Sequence, residues 1–243
     1  MVLAKGIELE TGELMTEVVA DELGHPERVG ALSGPNHAEE VCRGKLSAAV
    51  LAADDRSLAE RMQRLFISRD FRVYVSADVV GVEVCAAVKN VIAIACGAAA
   101  GLGAGDNTLA VIMTRGLAEI SRVVSAKGGD PMTCMGLAGM GDLIATCTSP
   151  HSRNRTFGRA LVDGITLEQY ERDTHMVVEG AQAARSVLSF ARGAGVEVPI
   201  TQAVHGMLYE GYSPDTATSL LVDRLPHEEF YGLDTTATGK ALV

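Results

Sequence analysis

Lys89 sits near the middle of VCAAVKNVIAIACGAAAGL (84–102), where it is the only formal charge. An ammonium in such a run must pair, snorkel to an edge, or do chemistry. Desolvation lowers a lysine pKa toward values useful to a general acid–base, although a lysine reaching a carboxylate at the rim fits the spacing equally well. Asp142 and Thr146 are four apart in GDLIATCTS, so on a helix they share a face. There a carboxylate could hold an ammonium charged and oriented while the hydroxyl adds a hydrogen bond. The same pair also reads as a helix cap and a back-bonding threonine. Ser152-Arg153-Asn154-Arg155 puts a capping serine, free N–H groups and a guanidinium at one helix start, an arrangement suited to a phosphate dianion. Ordinary capping with solvated arginines is the competing reading.

Other chemistries lack their residues. Gly101-Leu-Gly103-Ala-Gly105 and Gly139-Met-Gly141 are Gly-rich, but neither completes G-x-G-x-x-G, so both read as helix ends and close-packing turns. His25, His37, His151, His175, His205 and His227 show no ligand spacing, which speaks against a metal. No G-x-S-x-G occurs and no Cys stands in an activating context, which leaves nucleophilic catalysis unsupported. The five Cys form no C-x-x-C pair and read as reduced thiols of a cytoplasmic protein.

Two kinds of segment must position these groups. Up to Ala77, short apolar runs alternate with helical patterns: a strand start at 1–4, a helix from Leu14 to Leu23, a strand at Val29–Leu32, and a turn at Ser33-Gly34-Pro35 leading into a helix through Cys42. A strand at Leu46–Ala52 follows, then an amphipathic helix at Ser57–Ile67 with Leu58, Met62, Leu65 and Phe66 on one side, then a strand through Phe71, Val73 and Val75. From Asp78 the pattern is helical: 79–100, 109–126 with Asp106-Asn107-Thr108 as its cap, 152–162, 179–194 and 202–209. The division therefore falls between 1–77 and 78–243. Three strands with two or three helices bury too little for an independent domain, so the first part reads as the tail of a larger one.

Composition narrows the partners. With 47% hydrophobic and 21% charged residues the chain can bury a core, and 4% aromatics with no Trp favour close-packed helices over a sandwich. A net charge of −10 argues against nucleic acid and anionic membranes. The 84–102 run approaches membrane length, but a central Lys costs about 2.5–3.5 kcal/mol on insertion scales, so we expect a buried helix and no membrane span.

Taken together, Lys5-Gly6-Ile7-Glu8, SGPNHAEEV (33–41), KNVIAIACGAAAGLGAGDNT (89–108), TRGLAEISR (114–122), MGLAGMGDLIATCTSPHSRNRTFG (135–158) and VVEG (177–180) resemble the bacterial-type NAD(P)-dependent glycerol-3-phosphate dehydrogenase family. The resemblance runs in the family's order to about residue 210. It implies an α/β remnant of a Rossmann-type nucleotide domain in 1–77, followed by a larger all-α substrate-binding and catalytic domain like the C-terminal domain of 6-phosphogluconate dehydrogenase in 78–243. It implies reduction of dihydroxyacetone phosphate to sn-glycerol 3-phosphate with NAD(P)H, for glycerophospholipid synthesis. Lys89 then looks like the general acid–base, with Asp142 and Thr146 orienting it. Lys5 looks like a second lysine near substrate and cofactor. Arg153 and Asn154 match the phosphate-binding pair with Ser152 beside them, and Gly34 and Asn36 line the substrate side. Asn36 stands where the family often has Ser or Thr. Ala38, Arg153, Val177 and Glu179 match positions that meet the cofactor.

Members of the family begin with a strand, a Gly-rich turn and a helix that grip the pyrophosphate, and here only four residues precede Lys5. The expectation is an N-terminally truncated chain whose catalytic residues remain while the main cofactor platform is missing, with impaired activity. Two alternatives stand beside it. One is a related dehydrogenase acting on another hydroxy acid, against which SRNR argues. The other is a non-catalytic helical remnant that pairs through its helices, for instance with an intact subunit, and folds and associates without turnover; a homodimer is a separate expectation.

Overall fold

In the computed structural model, residues 1–225 and 228–233 are described. The first part contains β1 (Ala31–Ser33), β2 (Ser47–Ala52) and β3 (Phe71–Ser76) in that spatial order. β1 and β2 are antiparallel, and β2 and β3 are parallel. α1 (Met15–Leu23) and the single turn α2 (Ala38–Val41) flank β1 in sequence, and α3 (Arg56–Phe66) makes the β2–β3 crossover. A parallel pair needs such a crossover. α3 starts on Asp55, whose side chain accepts from the Ser57 N–H, and seals a small core of Leu32, Ala49, Leu51, Leu58, Ala59 and Val73.

The second part is helical: α4 (Val79–Gly101), α5 (Asp106–Lys127), α6 (Asp142–Thr148), α7 (Arg153–Val162), α8 (Leu167–Thr174), α9 (Glu179–Ala194), α10 (Pro199–Tyr209) and α11 (Pro214–Val222). Apart from Glu83, Lys89 and Asn90, α4 is apolar all round, which requires burial on every side. It packs against α5, α6, α7, α9 and α10 and against β1, and 89% of its most apolar stretch lies inside the protein. Among the described residues it alone is long and apolar enough to cross a membrane. Its start is pinned by Asp78, which accepts from the Gly81 N–H at 2.9 Å, the Asp130 N–H at 3.1 Å and the Thr133 hydroxyl at 2.5 Å.

Glycine sets the spacing around α4. A Cβ on Gly158 of α7 would stand 2.1 Å from the Ile94 carbonyl oxygen, and one on Gly180 of α9 would stand 2.5 Å from that of Asn90. No other residue permits such backbone approach. The second turn of α7 is thereby drawn onto α4 at Ile94 and the first turn of α9 onto it at Asn90.

Several local expectations need correction. Residues 1–4 form no strand; Val2 makes one parallel bridge to Ala31. Leu65 and Phe66 do not face inward, being 77% and 41% exposed, because among the described residues no layer covers the last turn of α3. β3 lies at the sheet edge, so only Val73 is buried along it. α5 begins at Asp106 with Gly105 as its cap. The left-handed Gly103 (φ 83°) ends the preceding turn early, and Asp106 then lies at the positive end of the helix. α8 and α11 lie outside the helices that the periodicity predicts, although Thr166 and Gln169 cap α8 reciprocally and Ser213-Pro214 opens α11. No strand follows Ser76 among the described residues.

Candidate active site

Three parts of the chain meet at one buried carboxylate. Asp142 opens α6 after a π-helical turn over Leu137–Gly141. That turn packs so closely that a Cβ on Gly139 would stand 2.1 Å from the Cys134 carbonyl oxygen. Lys89, from the centre of α4, places Nζ 3.0 Å from Asp142 Oδ1. Lys5, from the N-terminal segment, places Nζ 3.0 Å from Oδ2. Lys89 also donates to Thr146 Oγ1 at 2.6 Å, and that hydroxyl donates to Asp142 Oδ1 at 3.2 Å. The spacing of Asp142 and Thr146 thus works as a shared helical face.

The charges fix the proton states. Burial pushes the Lys89 ammonium down to about 8 from an ordinary 10.5, and the neighbouring Lys5 ammonium pushes the same way against the pull of Asp142. Burial alone would raise the Asp142 carboxyl, but Lys89 and Lys5 together outweigh it and hold the group below the usual carboxylate range. A carboxylate between two ammoniums leaves one surplus positive charge. Of the three Lys89 N–H groups, Thr146 and Asp142 engage two.

The phosphate candidates stand next door. Ser152 caps α7, accepting from the Arg155 N–H at 3.3 Å. Asn154 is buried: its amide donates to Asn90 Oδ1 at 2.9 Å and its carbonyl accepts from the Gly180 N–H at 2.9 Å. Arg153 is half-exposed, 3.6 Å from Glu179 Oε1, and donates to the Val177 carbonyl at 3.3 Å. Asn90 also donates to Glu179 Oε2 at 3.3 Å. The first turns of α7 and α9 are therefore cross-linked to the residue after Lys89.

The remaining candidates lie on the loop after β1. Gly34 is buried against β2, Asn36 is half-buried and Ala38 is exposed. His37 Nε2 comes 3.5 Å from the Ala145 carbonyl oxygen, bringing this loop to α6. Two participants had not been singled out as site residues. Asn90 is the hub of the amide network, and the motif Lys-Asn was its signal. Ser33 donates to Asp142 Oδ2 at 3.4 Å, and nothing local to a strand-end serine announces that.

Residues 1–59 match the family model of the NAD-dependent glycerol-3-phosphate dehydrogenase N-terminus, and residues 78–219 that of its C-terminus. A glycerol-3-phosphate dehydrogenase (NAD(P)+) of Salinibacter ruber is 47% identical over 231 residues, covering 94% of this chain and 67% of the relative. One from Thermobifida fusca is 47% identical over 232 residues, with coverage of 95% and 69%. The crystal structure of glycerol-3-phosphate dehydrogenase from Coxiella burnetii superposes with a TM-score of 0.86 at 38% identity, covering 91% of this chain and 68% of that one. The chain therefore belongs to the NAD-dependent glycerol-3-phosphate dehydrogenase family.

Proposed function

We propose that the chain reduces dihydroxyacetone phosphate to sn-glycerol 3-phosphate, with Lys89 as the proton carrier. One observation carries this reading: a buried lysine, titrating near 8, is held by a carboxylate that a second lysine shares. Division of the chain into 1–77 and 78–243 suits it, because Lys5 and Ser33 reach Asp142 from the first part and Lys89 from the second.

The substrate's two functions find matching groups. The surplus charge of the Lys5–Asp142–Lys89 cluster faces the carbonyl, and the Arg153 guanidinium with the open N–H groups of α7 suits the phosphate dianion. Asn154, already bonded to Asn90 and Gly180, holds that helix start in place, and Gly34 and Asn36 would form the wall opposite. As charge develops on the C2 oxygen, the third Lys89 N–H stabilises it and then gives up its proton. In the reverse direction neutral Lys89 takes the hydroxyl proton. Asp142 and Thr146 keep Nζ in place through both directions.

The family is NAD(P)-dependent, and a bound nicotinamide supplies or accepts the hydride at the substrate carbon. The residues present fit one end of such a cofactor. The half-exposed Arg153, Glu179 and the Val177 carbonyl form a polar ledge linked to Asn90, with Lys5 and Ala38 as further candidates on the first part. Gly-x-Gly-x-x-Gly occurs nowhere in the sequence, so the ledge is this chain's own contribution to holding the group.

The five free cysteines and the burial of α4 support a cytoplasmic setting with α4 as a protein core and no membrane span. Following NADH or NADPH oxidation on addition of dihydroxyacetone phosphate tests the proposal. Substrate-dependent oxidation that disappears in Lys89→Ala is expected; oxidation undiminished in that variant would overturn it.

A further inference from the structure

We propose that Ser33, the last residue of β1, is a positioning residue for this reaction, its hydroxyl fixing the rotation of the carboxylate that orients Lys89. The proposal rests on the acid–base reading of Lys89 above.

Asp142 is gripped on both oxygens. Oδ1 meets Lys89 and Thr146, both from the helical part. Oδ2 meets Lys5 at 3.0 Å and Ser33 Oγ at 3.4 Å, both from the first part. These two holds differ in stiffness. Lys5 is a long side chain, part-exposed, on a segment outside any regular element. Ser33 is 2% exposed, has one side-chain torsion, and sits in the β1–β2 ladder opposite Val50.

The turn that follows makes the hydroxyl's place firmer. At Gly34, where φ is 148°, a Cβ would stand 2.8 Å from both the Ala48 carbonyl oxygen and the Ala49 Cα, so the chain presses directly on β2. Pro35 then abuts Gly141, the residue before Asp142, with its Cδ 3.6 Å from where a Gly141 Cβ would be. Serine hydroxyl and carboxylate are thus located by one packed unit.

A carboxylate's terminal torsion is broad and roughly two-fold, so its rotation is set by its partners. Without the Ser33 hydroxyl, Oδ2 is left to the longer Lys5 side chain alone, and the carboxylate is freer to turn Oδ1 off Lys89. Lys89 then keeps its desolvation and its Lys5 repulsion while losing part of the attraction that opposes them. Its pKa must fall. Other titratable groups near this stretch of α4 are Glu83 and the thiols of Cys85, Cys96, Cys134 and Cys147, with Arg155 on α7 and Glu179 on α9. None of these touches Ser33, so the substitution leaves their contacts as they are.

The test labels lysine side chains with 13C and 15N and titrates Lys89 by NMR in the native chain and in the Ser33→Ala, Ser33→Cys and Ser33→Thr variants. Thermal unfolding confirms that each variant folds. Ser33→Ala is expected to lower the Lys89 midpoint by about half a unit and Ser33→Thr to restore it. Ser33→Cys, similar in volume but a weak donor, should fall between them. In the dihydroxyacetone phosphate assay kcat should drop about threefold to tenfold in Ser33→Ala, with KM nearly unchanged. A Lys89 midpoint that stays put or rises in Ser33→Ala overturns the positioning role. A lowered midpoint with unchanged kcat upholds the positioning role and overturns the acid–base reading of Lys89 instead.

Discussion

Asp142 and Glu119 are both buried carboxylates in the helical part, and each is surrounded by donors, but the donors differ in kind. Glu119 accepts from the N–H groups of Ile200 and Thr201 at 2.8 and 2.9 Å and from the Thr201 hydroxyl at 2.5 Å. Burial pushes its carboxyl up, and the hydrogen bonds, with a smaller contribution from the Arg122 charge, only partly oppose that shift. Asp142 instead faces two full ammonium charges, which carry it the other way. Neutral dipoles and one helix end make Glu119 a fastening between α5 and α10. Paired cations make Asp142 part of an assembly that can exchange a proton with something placed against it.

Substitutions separate the two. Lys89→Ala removes the proposed proton carrier and should cut dihydroxyacetone phosphate reduction by about a thousandfold, measured as oxidation of the reduced nicotinamide. Asp142→Asn keeps the shape but leaves Lys89 and Lys5 facing each other without an anion. We expect a loss of about a hundredfold in the same assay, with the Lys89 midpoint falling below that of the native chain. Arg153→Ala should raise the apparent KM for dihydroxyacetone phosphate about tenfold, the low end for a hydrogen bond to a charged group, because this guanidinium is half-exposed; titration calorimetry with sn-glycerol 3-phosphate checks it. Glu119→Gln should leave that affinity unchanged while lowering stability by about 1–3 kcal/mol, since one donor of α10 loses its acceptor. If Glu119→Gln weakened substrate binding as Asp142→Asn slows turnover, the distinction between fastening and site would collapse.

Much of this site was legible because its signals are local. An ammonium in an apolar helix has few fates, so Lys89 stood out, although a lysine reaching a rim carboxylate fitted the spacing as well. Asp142 and Thr146 were readable as a pair because four residues make a helical turn. Ser152 was readable as a cap because capping chemistry is confined to a few positions. Ser33 carried no such signal: its partner lies 109 residues away in sequence, and a serine at a strand end has many ordinary uses. The role of Lys5 came only from the resemblance, since its contact with Asp142 is equally remote. The same limit governs the fold. The long helices followed from periodicity, whereas the exposure of Leu65 and Val75 depends on whether another layer lies above them, which periodicity does not encode.

The central claim is that one buried amine carries the proton in both directions. Its Lys89 midpoint near 8 sets opposite pH dependences. Reduction requires the ammonium, so its rate is full below 8 and falls as pH rises through that value. Oxidation of sn-glycerol 3-phosphate requires the neutral amine, so its rate rises through the same range. The most direct measurement is therefore the rate of each direction across this range in the native chain and in Lys89→Ala. Mirror-image profiles crossing near pH 8, both lost in the variant, are the predicted result. Profiles that move in the same direction, or that persist in Lys89→Ala, would contradict it.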